Sequence, residues 1–154
     1  MDKFFKAVYD GDVEIVKSCL EKGIDLNKTN DTGKTALHIS AENNNKELIE
    51  MLIKKGSNPN ILNKQGYTPA QSATLRNNYE ALNALLKGGA EIAKTDPNGN
   101  TLLANAVMHY RGDDRIIKLL LEKGIDPKIE NNHGISLFNL LNMPKNKDIK
   151  HLFE

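Results

Sequence analysis

Residues 30–62 read NDTGKTALHISAENNNKELIEMLIKKGSNPNIL, and this stretch decides the fold. It opens on a Gly-x-Thr turn, Gly33-Lys34-Thr35, in which the glycine supplies positive φ and the threonine hydroxyl is placed to cap a helix. Ala36, Leu37, Ile39 and Ala41 form the apolar side of that short helix. An asparagine-rich corner follows. Leu48, Ile49, Leu52 and Ile53 then recur at helical spacing, Lys54 and Lys55 fall where cations suit a helix carboxyl end, and Gly56 stops the helix.

The same grammar runs along the whole chain. Gly33, Gly66 and Gly99 stand 33 residues apart and Gly134 follows after 35. Gly23, Gly56, Gly89 and Gly124 keep the same intervals, as do the corner residues Gly11, Asn44, Asn77 and Gly112. Three independent markers on one period define a repeat array, each unit being a helical pair that buries its apolar face on the next. The units fall at about 1–29, 30–62, 63–95, 96–130 and 131–154, forming one domain over 1–154. In the first unit Phe4, Ala7 and Val8 face inward, Asp12 is an N-cap, and Val13, Ile15, Val16, Cys19 and Leu20 form the second helix's apolar stripe.

Thr35-Ala36-Leu37-His38, followed by Leu52-Ile53-Lys54-Lys55-Gly56 and Asn60, resembles the ankyrin repeat, whose pattern is G-x-T-P-L-H and then LL-x-x-G-A-D-x-N. Gly66-Tyr67-Thr68-Pro69 is similar to the same turn, although Ala70-Gln71 replaces Leu-His. The fourth unit has Gly99-Asn100-Thr101 and then Leu102-Leu103-Ala104. The fifth keeps Gly134-Ile135-Ser136 and the apolar Leu137, Phe138, Leu140 and Leu141, and ends on a short helix with Ile149, Leu152 and Phe153. The resemblance covers nearly the whole chain. It implies an all-α solenoid of about five helix-turn-helix units with short β-turn or hairpin connections and terminal units acting as caps.

Composition narrows the chemistry. The chain has 154 residues, with 21 basic against 20 acidic, a net charge of +1. That balance argues against the broad electrostatic grip needed for nucleic acid or an anionic membrane. The single cysteine, Cys19, allows neither an internal disulfide nor a multi-cysteine zinc site, and reads as a packed thiol. No segment is apolar enough for a signal peptide or a membrane span, so a cytoplasmic, monomeric protein is the expectation. His38, His109, His133 and His151 lie in different units without metal-ligand spacing, and no nucleophile elbow or phosphate loop occurs. No cofactor, metal or catalytic group is therefore expected. Asp113 and Asp114 precede a second helix, where carboxylates cap it and oppose its dipole. By the resemblance, His38 hydrogen-bonds its turn.

What the resemblance implies instead is a non-enzymatic module that binds another protein across its concave face. Carried over position by position, the face comprises Tyr9 and Asp10 in the first unit, then Asp31, Thr32, Lys34, Glu42 and Asn43 in the second. The third supplies Lys64, Gln65, Tyr67, Leu75 and Arg76, and the fourth Asn98, Asn100, Met108 and His109. Asn132, His133 and Ile135 complete it. Between Gly99 and Gly112 the fourth unit is two residues longer than its neighbours, which adds Tyr110 and Arg111. The extra length reads either as a helix prolonged by half a turn or as a protrusion beside the face. Tyrosine and arginine are the residue types in which binding energy concentrates. A sharper expectation is an inhibitor or immunity-type protein that occludes a partner enzyme or toxin, since the chain carries no other domain.

Overall fold

Threonine hydroxyls start the inner helices. Thr35, Thr68 and Thr101 hold extended backbone and accept from the third helical N–H of α3 (Ala36–Glu42), α5 (Pro69–Leu75) and α7 (Leu102–Met108). Pro69 sits in the first turn of α5, where its missing N–H costs nothing. In this computed structural model, which describes residues 2–154, the remaining elements are α1 (Lys3–Asp10), α2 (Val13–Glu21), α4 (Lys46–Lys54), α6 (Tyr79–Lys87), α8 (Arg115–Glu122), α9 (Leu137–Leu141) and a carboxy-terminal 3₁₀ segment, Pro144–Phe153. Among the described residues no strand is formed, so the connections are turns.

The helices stand in two rows. α1, α3, α5, α7 and α9 pack in succession as an inner row, and α4, α6 and α8 as an outer row, while α2 leans on α1. The three central inner helices are not amphipathic. In α3, α5 and α7 the first six residues are all buried and only the last, Glu42, Leu75 or Met108, reaches the surface. Small residues such as Ala36, Ala41, Ala70, Ala73 and Ala106 let the helices approach closely on both sides. The outer helices bury one stripe each: Leu48, Ile49 and Leu52 in α4; Leu82 and Leu85 in α6; Ile116, Ile117 and Leu120 in α8. Each such side chain contributes about 1.5–3 kcal/mol by leaving water.

In α2 only Val16 is buried and Ile15 is 37% exposed. Periodicity places Ile15 on the packed stripe, but among the described residues nothing covers it. Cys19 is half-buried and packs against the core. Asp12 caps α2 as expected, accepting from the Ile15 N–H at 3.0 Å. At the start of α8 it is Asp113, not Asp114, that accepts the Arg115 N–H, while Asp114 pairs with Lys118.

Successive units are tied at the turns. The Lys64 N–H donates to the Thr32 carbonyl at 3.1 Å, and the Asn132 N–H to the Asn98 carbonyl at 2.9 Å. A Cβ on Gly33, whose φ is +75°, would lie 2.7 Å from the Lys64 nitrogen, so glycine is required for space as well as conformation. At the matching position of the third junction stands Pro97, which has no N–H to give. A second tie runs through the motif side chain. His38 closes a capping box with Thr35 and its Nε2 meets the Tyr67 carbonyl at 2.9 Å. Gln71 does the same work: its Oε1 accepts from the Thr68 N–H at 2.8 Å and its Nε2 donates to the Lys94 carbonyl at 3.1 Å. Ala104 has no such group, and beside its cap Thr101 lies a groove of about 300 Å³ lined by Ile92, Thr95, Ile125 and Ile129.

At the corners Asn44 and Asn77 take φ of +52° and +56°, the left-handed region that asparagine tolerates. Asn44 also accepts from the Ala81 N–H and donates to Glu80, which pairs with Arg115 at 3.1 Å. The corner after α7 takes up the added residues. α7 is as long as α3 and α5, so the helix is not prolonged, and His109 to Asp114 form a wider loop.

Candidate partner-binding face

One side-chain oxygen organises each turn. The Asn30 Oδ1 accepts from the Thr32 and Lys34 N–H groups, Asn63 from Gln65 and Tyr67, Asp96 from Asn98 and Asn100, and Asn131 from His133 and Ile135. Asparagine and aspartate favour this local bonding to the backbone two residues on. It leaves the intervening side chains outside the stack. Asp31, Thr32, Lys64, Gln65, Asn98, Asn132, His133 and Ile135 are all exposed, and Tyr67 is half-buried.

A second row comes from the ends of the inner helices. Tyr9 and Asp10 are exposed at the end of α1, Asn43 and Arg76 follow α3 and α5, and Leu75, Met108 and His109 are half-buried. Tyr110 also is half-buried, packing on the core, and burial, with Asp148, Asp114 and Asp113 nearby, raises its phenol above the ordinary value. Arg111 is exposed on the widened corner. Asp10 pairs with Lys6, and the His109 Nδ1 meets the Asn105 carbonyl at 2.9 Å.

Three of the expected residues meet. Glu42, its side chain 13% exposed, lies 2.9 Å from the Lys34 Nζ and 3.6 Å from the Arg76 guanidinium. Lys34 and Glu42 therefore satisfy each other, whereas Arg76, 58% exposed, keeps most of its donors free. Asn100 does not fit the expectation of a presented side chain. It is buried, donates to Asp96 at 3.2 Å and accepts from Asn131 at 2.9 Å, so it fastens the fourth turn to the fifth.

The rows enclose two open grooves that share Asp31 and Thr32. One, about 470 Å³, is lined by Asp2, Phe5, Tyr9, Lys28, Thr29 and Asn30 as well, and the other, about 360 Å³, by Lys34, Lys64 and Gln65. Asp2, Phe5, Lys28 and Thr29 escape sequence reasoning because their partnership spans the unit: Lys28 reaches Asp2 at 2.7 Å across 26 residues. The Lys28 ammonium and the Phe4 N–H hold the Asp2 carboxyl below its ordinary value. Among the described residues no group of three or more His, Cys, Asp or Glu is placed to hold a metal ion, and no helix is long and apolar enough to cross a membrane.

A family model of ankyrin repeats in three copies matches residues 4–96, and a model of the single ankyrin repeat matches residues 98–132. The chain belongs to the ankyrin-repeat family. Ankyrin repeats are in general protein–protein interaction modules and non-enzymatic scaffolds. No curated protein matches the chain. In this ankyrin-repeat protein the motif histidine of the family is His38, and Gln71, Ala104 and Asn139 are the positions that depart from it.

Proposed function

We propose that residues 1–154 act as one non-enzymatic binding domain that grips another protein across the turn tips and the ends of the inner helices. One observation carries this reading. The stacking of units consumes α3, α5 and α7 almost completely, and the same stacking leaves two parallel rows of exposed or half-buried polar and aromatic side chains at the turn tips and helix ends. Tyr67, Arg76, Tyr110 and Arg111 are the anchors, because tyrosine and arginine combine large contact area with hydrogen bonding. A rigid array limits the ordering entropy lost when the partner docks. The protein acts as a monomer, and its partner is a protein rather than a nucleic acid, since the rows mix both charge signs.

The test is quantitative capture from the native source with immobilised protein. Tyr67→Ala with Arg76→Ala should retain less than a tenth of the partner, as loss of two anchors of roughly 1 kcal/mol or more each implies. Its thermal unfolding should stay near that of the parent, because the Tyr67 carbonyl bonded to His38 is unaltered. Undiminished capture would remove these rows as the binding face.

A further inference from the structure

Among the described residues a cation is twice held between an aromatic ring and a carboxylate. Lys28 lies 5.6 Å from the centre of the Phe5 ring while pairing with Asp2. The Arg115 guanidinium lies 4.7 Å from the centre of Tyr79 while pairing with Asp113 and Glu80. Both arrangements combine ring and carboxylate attraction for one positive group. The larger groove contains the makings of a third. Tyr9, 40% exposed, and Asp31, exposed on its turn, line the same open space. Among the described residues no cation pairs with Asp31, because Lys28 is taken by Asp2 and Lys34 by Glu42. Lys64 borders the adjoining groove and makes no ion pair with it. Among the described residues the charges lining the larger groove are those of Asp2, Asp31 and Lys28, an excess of one negative.

We propose that this groove receives an arginine side chain of the partner protein, its guanidinium lying against Tyr9 and paired with Asp31. Arginine suits the site better than lysine, since a planar, weakly hydrated guanidinium stacks on a ring and still offers donors at its edge to a carboxylate. Farther along the rows stand Arg76 and Arg111, so the partner segment lies with its basic part over α1 and an acidic part over the corners after α5 and α7. The proposal rests on the binding function above and names the chemistry of one end of it.

The probe is N-acetyl-arginine amide, titrated into the full-length protein and followed by amide chemical shifts, with N-acetyl-citrulline amide as a neutral analogue of the same shape. Millimolar arginine amide should shift the Tyr9, Asp31 and Thr32 resonances, citrulline amide should not, and Asp31→Asn should weaken the response about threefold or more. Asp31 is exposed and its side chain bonds none of the described residues, so the variant keeps the fold, which its unshifted remaining spectrum verifies. Equal response to both probes, an undiminished response in Asp31→Asn, or shifts confined to other residues would overturn the proposal. None of these outcomes depends on capturing a partner, so failure here leaves the Tyr67 and Arg76 test standing on its own.

Discussion

Replacing His38 by glutamine should preserve the hydrogen bonds of the second turn and abolish one source of acid sensitivity. The Thr35 N–H donates to the His38 Nδ1 at 3.1 Å, so Nδ1 carries no proton and Nε2 donates to the Tyr67 carbonyl. Protonation would turn the accepting nitrogen into a second donor facing that N–H. Burial accordingly pushes the imidazole below its ordinary value of 6.5, and hydrogen bonding to Tyr67 and the charge of Glu42 offset this only in part. A histidine with a depressed folded-state value binds fewer protons when folded than when unfolded. Stability is therefore full above 6.5 and falls as the pH drops below it. The slope is at most about 1.4 kcal/mol per pH unit, and each kcal/mol moves the midpoint of a domain this size by about 2–4 °C. Glutamine does not titrate, and Gln71 at the equivalent site bonds its own cap threonine and reaches a carbonyl of the next unit, that of Lys94. Unfolding of the parent and His38→Gln, followed by circular dichroism between pH 7.5 and 5.5, should give curves that diverge as the pH falls, with the variant losing less. Carboxylates do not confuse this window. Asp2, Glu80 and Asp113 are held below ordinary values of 3.8, 4.5 and 3.8, so their contributions are present above those values and lost beneath them. Parallel curves for the two proteins would refute the neutral, buried role of His38.

Ala104→Gln should supply the missing tie between the fourth and fifth units and raise stability by about 1 kcal/mol, the ordinary net gain of one hydrogen bond; a lowered midpoint in thermal unfolding would contradict this. Gly88→Ala should cost about 1–3 kcal/mol by overpacking, because its Cβ would stand 2.2 Å from the Ile53 Cδ1. Ile53→Val removes that methyl, so the double variant should recover part of the loss in denaturant unfolding, and simple additivity would show that the contact is not the cause.

Much of the fold was legible because its markers answer to backbone geometry. Gly11, Gly33, Gly66, Gly99, Gly112 and Gly134 all adopt positive φ, and Asn44 and Asn77 share the corner conformation that their alignment with Gly11 implied. The threonine caps, read first at Thr35, were likewise legible, since a hydroxyl before an apolar run has one favourable use. What stayed hidden depends on neighbours. Ile15 has the spacing of a core residue, but spacing does not report whether another unit covers it. The length between Gly99 and Gly112 does not say which side of a helix end absorbs two residues, and packing of α7 between α5 and α9 forces them into the corner. Asn100 sits in the column of presented residues, yet Asp96 and Asn131 claim its amide. The meeting of Lys34, Glu42 and Arg76 joins three elements, and no local pattern encodes it.

The binding face can be located most directly by hydrogen exchange of the protein alone and in complex with its captured partner. Protection should appear in the turns at residues 31–34, 64–67 and 98–99 and at the ends of α3, α5 and α7, with the outer faces of α4 and α6 exchanging as before. Protection confined to α4, α6 and α8 would place the partner on the outer row and contradict the assignment.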